Sequence, residues 1–271
     1  MKEQRTNNAL TDLLFEEAKK YNNKCFIEDD PISIPHKFTA KHDIEISALF
    51  AATIAWGNRK SILKNGNQLM QLMDFAPYQF VMHASNNELL GLNKFVHRTF
   101  NGQDALAFVD ALRKAYNHKG LQALFTPNYP DIRLQHAAYM HPLAAIIFNF
   151  RYAFTKSFKW QRSAKHIGNP YKNSSAKRMC MFLRWMVRQD KNGVDFGIWR
   201  NINPADLICP LDVHSGNVAR QLGLLTRPQN DWKAAVALTE SLKQYNTNDP
   251  TIFDFALFGM GVNSKRLAVI N

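Results

Sequence analysis

The stretch CPLDVHSGNVARQLGLL, residues 209–225, sets a carboxylate and an imidazole two places apart, directly ahead of a basic amphipathic segment. Pro210 halts any preceding helix. A carboxylate at position 212 can accept backbone N–H bonds from the next turn, contributing about 1 kcal/mol. The macrodipole adds about 0.3–1 kcal/mol for an anion at that end. On this motif alone Asp212 reads as a helix cap. Turned outward, the same carboxylate would instead face a substrate, and the local sequence leaves both readings open.

Other titratable groups offer less. His42 and Asp43 in KHDIE suggest the start of a metal phosphohydrolase site, but that chemistry needs a second histidine well upstream and a distant aspartate. His36, six residues before, sits in a proline-bounded loop that does not suit it. His136 and His141 are five apart and would not share a helix face for a metal. No metal site and no cofactor are expected. Cys25, Cys180 and Cys209 are odd in number and scattered, which fits free thiols in a reducing cytoplasm and rules out a four-cysteine cluster.

Charge narrows the partner. The 271 residues carry a formal net charge of +12, and it is uneven. Residues 151–200 hold twelve basic side chains against Asp190 and Asp195 alone, interleaved with Trp160, Tyr171, Phe182, Trp185 and Trp199. Such a block favours a polyanion, nucleic acid above all, over a merely solvated face. No apolar run reaches the roughly 18–20 residues of a membrane span, and the start MKEQRTNNAL does not read as a signal peptide. A cytoplasmic, nucleoid-associated monomer is expected, with no membrane partner.

The elements that must position these residues are helical. Leu10, Leu14, Ala18 and Tyr21 predict a helix over 8–21, and the prolines of EDDPISIPHKF end it. Asp43 opens a nearly continuous apolar helix that Gly57 can close. Further helices are predicted at 60–73, 77–83, 103–116, 142–154, 174–190, 213–223, 231–244 and 250–260, with loops at 84–94, 117–131, 166–173 and 191–206. Sustained period-two alternation is missing, so the class is all-α.

PLDVHSGNVARQLGL closely resembles the PVDTHVxRVxxRLGL signature of the helix-hairpin-helix DNA glycosylase superfamily, of the endonuclease III type. His214, Val218, Ala219, Arg220, Leu222 and Gly223 fall in matching places, while Asn217 replaces the family's first arginine. ISALFAATIAWGNRKSILKNGNQL resembles the family's early helix pair, and DFALFGMG its last apolar helix. SAKRMCMFLRWMVR occupies the place of the second helix of the hairpin. The combination of RWMVR, DFGIW, PLDVHS and DPxxxDFALFGMG resembles, more closely still, a bacterial family known mainly as a domain of unknown function. Two family features are missing: the glycine-rich hairpin LPGVGxxTA, replaced here by HIGNPYKNSSAKR, and the cysteines of an iron–sulfur cluster. The archaeal 8-oxoguanine glycosylase branch, with a lysine at the start of a helix in KxxxF, is the parallel for Lys177.

The resemblance implies a two-lobed glycosylase-like fold with a diverged hairpin near 166–177. One lobe would span 44–200; 1–43 and 201–271 would form the other, with the cleft between them. The implied partner is double-stranded DNA containing a damaged base, flipped out of the stack. Asp212 would stabilise the oxocarbenium-like sugar as the N-glycosidic bond breaks. Lys177, with Lys172 as a rival, would attack C1′ as a neutral amine, giving AP-lyase activity. Arg59, Lys60, Lys172, Ser174, Arg178, Arg184, His214 and Arg220 are the implied nucleic-acid contacts. Trp56 and Asn58 would fill the gap left by the base, and Phe253, with Phe255 and Phe258, would line its pocket. The alternative is a non-catalytic nucleic-acid binder that keeps the fold.

Overall fold

The computed structural model describes residues 2–126 and 141–262, with side chains from residue 8 onward. It is mostly helical. In chain order the helices are α1 (Lys2–Tyr21), α2 (Cys25–Glu28), α3 (Lys41–Ile54), α4 (Arg59–Leu72), α5 (Pro77–His83) and α6 (Asn86–Gly91), then α7 (Gly102–Tyr116) and α8 (Pro142–Thr155). The remaining four are α9 (Lys177–Val187), α10 (Val213–Gln221), α11 (Trp232–Lys243) and α12 (Phe253–Val262). A two-residue hairpin, β1 (Val96–His97) with β2 (Phe100–Asn101), is the one sheet among the described residues. The all-α class therefore holds. His136 and residues 127–131 of the expected 117–131 loop lie outside the described residues.

The chain forms two compact units, Ile27–Tyr171 and Met1–Phe26 with Lys172–Asn271. These divisions differ from the expected ones at 43/44 and 200/201, for a physical reason. The proline-rich stretch after residue 30 packs on α3, where Ile32 and Ile34 are fully buried. At the other boundary, Arg184 of α9 and its C-cap Arg188 are ion-paired with aspartates at 254 and 249, which ties α9 to the C-terminal residues.

In the unit Ile27–Tyr171, α3 is buried on nearly every side from Ile44 to Ile54, as its nearly continuous apolar run predicts. Helix α4 starts where Asn58 accepts the Ser61 amide. Phe50, Phe95, Phe100, Phe108, Phe150 and Phe154 supply a largely edge-on aromatic core. The expected loop at 84–94 contains α6, whose Ser85–Glu88 capping box initiates a helix too short to show a period.

In the unit Met1–Phe26 with Lys172–Asn271, α12 is the hub. It packs against α1 and α10, and Gly259 lets the Tyr21 ring lie where a Cβ would stand. Helix α9 starts at Lys177, not 174, because Ala176 sits in the left-handed region with φ +48°. Asn173 is left-handed as well, at φ +59°. The turn before α9 thus takes up handedness usual for glycine with an asparagine and an alanine.

Candidate active site

Asp212 caps α10 as the sequence predicts, and with Ser215 it closes a capping box. Its backbone is extended, Oδ1 accepts the Ser215 amide at 2.9 Å, and the Asp212 amide donates to Ser215 Oγ at 3.0 Å. That leaves Oδ2 for a second task. Lys177 Nζ donates to it at 2.7 Å, across 35 residues of sequence. Both side chains remain partly open, at 34% for Lys177 and 27% for Asp212. Burial pushes the Asp212 carboxyl upward, but the Lys177 charge and the bonds from Lys177 and Ser215 pull it below the usual carboxylate range. Asp212 is thus an anion at neutral pH, held at a helix N-terminus, with a primary amine as its neighbour. Lys177 itself is the first residue of α9, an end at which the macrodipole disfavours a cation, and the carboxylate offsets this.

The pair lies within one unit, not across two lobes as expected. Beneath it runs a buried ion network that composition alone did not reveal. Arg184 Nη1 meets Asp254, and its Nε lies 3.3 Å from Asp195. Arg188, fully buried, reaches Asp195 at 3.0 Å, Asp249 at 2.9 Å and also Asp190. The two guanidinium groups lie 4.3 and 5.4 Å from the centroid of the Phe255 ring. Burial pushes the Asp249 and Asp254 carboxyls up against the pull of these arginines, Asp254 to about 6. Burial also raises the Cys180 and Cys209 thiols, which disfavours their thiolate forms at neutral pH. The motifs RWMVR, DFGIW and DPxxxDFALFGMG thereby acquire a common physical content. They supply this network and, through the Phe196 and Gly197 amides on the Trp185 carbonyl, the strap that closes over α9.

Several expected contacts are placed otherwise. Arg184 is 3% exposed and belongs to the buried network, not to a nucleic-acid face, because two aspartates neutralise it. Phe253 is fully buried, edge-on to Phe15 and Tyr245. Phe255 is likewise buried. Arg220 is directed at the loop carbonyls of Arg227 and Pro228, both at 2.9 Å. Arg178 is half-buried, and desolvation lowers its guanidinium to about 10. Lys172 and His214 are exposed, and Ser174 is half-buried, its Oγ accepting the Ala176 amide. Trp56, Asn58, Arg59 and Lys60 belong to the unit Ile27–Tyr171. There the exposed Arg98 lies over the Trp56 ring at 4.7 Å and Asn58 caps α4. Among the described residues no cluster of three or more His, Cys, Asp or Glu side chains could hold a metal ion. No helix among them is long and apolar enough to cross a membrane.

The fold and site define a class: an all-α protein with a capping aspartate ion-paired to a helix-initiating lysine. Residues 30–263 match the model of the family described as "Protein of unknown function (DUF2400)", and the chain belongs to that family. No curated protein and no solved structure gave a significant match.

Proposed function

We propose that the protein is a DNA base-excision glycosylase with AP-lyase capacity, in which Asp212 and Lys177 are the catalytic pair. The observation that carries this reading is the 2.7 Å contact between Lys177 Nζ and Asp212 Oδ2, in a carboxylate whose other oxygen fixes its orientation. A damaged base flipped out of the duplex presents its glycosidic bond to the pair. The C1′–N bond breaks and its electron pair leaves with the base. The Asp212 anion stabilises the positive charge left on the sugar. Lys177 gives a proton to the departing base anion and attacks C1′ with the lone pair so freed, giving a Schiff base after ring opening, while Asp212 stays ionised. Water capture at C1′ is the monofunctional variant of the same step. The basic residues at 156–172, most of them exposed, support a polyanionic partner.

Borohydride trapping on duplexes carrying oxidised, deaminated, alkylated or abasic sites tests the reading. A covalent adduct lost in Lys177→Ala is expected. Salt-sensitive duplex binding with no base release and no adduct from any lesion would assign the non-catalytic binder instead.

A further inference from the structure

The loop between α10 and α11 holds both halves of the Lys177–Asp212 pair through two adjacent residues. Asn230 Nδ2 donates to the main-chain carbonyl of Asp212 at 3.1 Å. Asp231 Oδ2 accepts from Asn173 Nδ2 at 2.9 Å, and its backbone forms an isolated antiparallel bridge with Ser174. Asn173 and Ser174 belong to the left-handed turn that delivers Lys177 into α9.

Each of the two residues is itself oriented. Arg220 Nη2 donates to Asn230 Oδ1 at 2.6 Å, which fixes the amide so that its Nδ2 faces Asp212. Arg227 Nε donates to Asp231 Oδ1 at 2.8 Å, and the same oxygen caps α11 through the Ala234 amide at 2.9 Å. Gly216 makes room for the arrangement. A Cβ there would lie 2.6 Å from Asn230 Oδ1 and 2.9 Å from Arg220 Nη1.

We propose that Asn230 and Asp231 are positioning residues, a two-residue brace that sets the distance between the Lys177 amine and the Asp212 carboxylate. The proposal rests on the catalytic reading of that pair. Lys177 and Asp212 are held on separate backbone segments, so a bond from each segment to neighbouring residues of one hydrogen-bonded loop sets their separation. Reacting groups are sensitive to displacements of this order, since a shift of about 1 Å costs about 10²-fold in rate.

The test compares the full-length wild type with Asn230→Ala, Asp231→Asn and Gly216→Ala. Asp231→Asn keeps a side chain that can cap α11 while losing the anion that gathers Arg227 and Asn173. Gly216→Ala displaces the Asn230 amide without altering it. Two readouts are taken: reductive methylation of Lys177 by formaldehyde, followed by peptide mass spectrometry, and borohydride trapping on an abasic duplex. The variants are expected to accelerate Lys177 methylation about two- to fivefold, as a partly exposed ion pair loosens, with exposed Lys191 and Lys233 unchanged. Trapping is expected to slow by about 10²-fold with duplex affinity unchanged. Unaltered Lys177 methylation in all three variants would overturn the brace. A wild type that traps no duplex, with Lys177 methylation still altered in the variants, would remove the glycosylase reading and leave the brace in place.

Discussion

The ammonium of Lys177 lies 2.7 Å from Oδ2 of Asp212, while Oδ1 of that carboxylate accepts the Ser215 amide. Capping and chemistry are thus divided between two oxygens of one side chain, and substitutions can separate them. Asp212→Asn keeps a competent cap but loses the charge, whereas Asp212→Ala loses both. Urea denaturation should show Asp212→Ala about 1 kcal/mol less stable than Asp212→Asn. Base release should fall in both by about two to four orders of magnitude. Equal stability of the two variants would refute the capping role.

Arg188 holds three aspartates, and its own side chain and that of Asp195 have no solvent access. Arg188→Leu would leave Asp195 buried with less of its compensating charge, and a loss of about 3–5 kcal/mol is expected. Chemical denaturation at neutral pH measures it, and a loss below about 1 kcal/mol, as for a surface arginine, would contradict the network.

Asp254 makes stability depend on pH in an unusual direction. Its folded-state carboxyl titrates at about 6, above the ordinary value of 3.8, because it is buried. Between those values the native state binds more protons than the unfolded chain, so stability falls as pH rises from about 4 to about 6. The slope from one such group is at most about 1.4 kcal/mol per pH unit. Asp212 and Asp231 are shifted the opposite way and lose their contributions as pH falls below about 4. Asp254→Asn should therefore gain on the wild type as pH is raised from 4.5 to 7, read from urea midpoints. A constant difference across that range would show that Asp254 does not titrate there.

Gly197 lies in the strap over α9 at φ +56°, and a Cβ there would stand 2.8 Å from the Arg188 carbonyl oxygen. Gly197→Ala is expected to cost about 1–3 kcal/mol, since neither the left-handed backbone nor the close carbonyl can accommodate it. Thermal unfolding of the purified variant provides the comparison.

Helix positions in this chain could be read wherever a local device announces them. Asp212 behind Pro210 marks a helix start that the structure reproduces, and α4 starts within one residue of the expected 60. Asp43 was expected to open α3, but that helix starts at Lys41 and the Asp43 carboxylate accepts the Tyr78 amide instead. The sequence places the start of α9 at 174 and the structure at 177, since nothing in NSSAK signals that an alanine takes a left-handed conformation. Arg184 counted toward a basic face, since a charge tally does not register that its partners arrive from positions 195 and 254. The same limit hid the brace, for the bonds of Asn230 and Asp231 to residues 212 and 173 are tertiary and leave no periodic trace.

Helix α1 precedes the 30–263 span of the family model, yet it completes the unit that carries the candidate site. Tyr21 fills the notch at Gly259, and Asn22 donates to Asp190 at 2.7 Å. A recombinant fragment trimmed to the family limits would bare an apolar flank of α12 and strip Asp190 of its amide donor. Poor solubility of such a fragment would then be a fault of where it was cut, and should not be read as a property of the site.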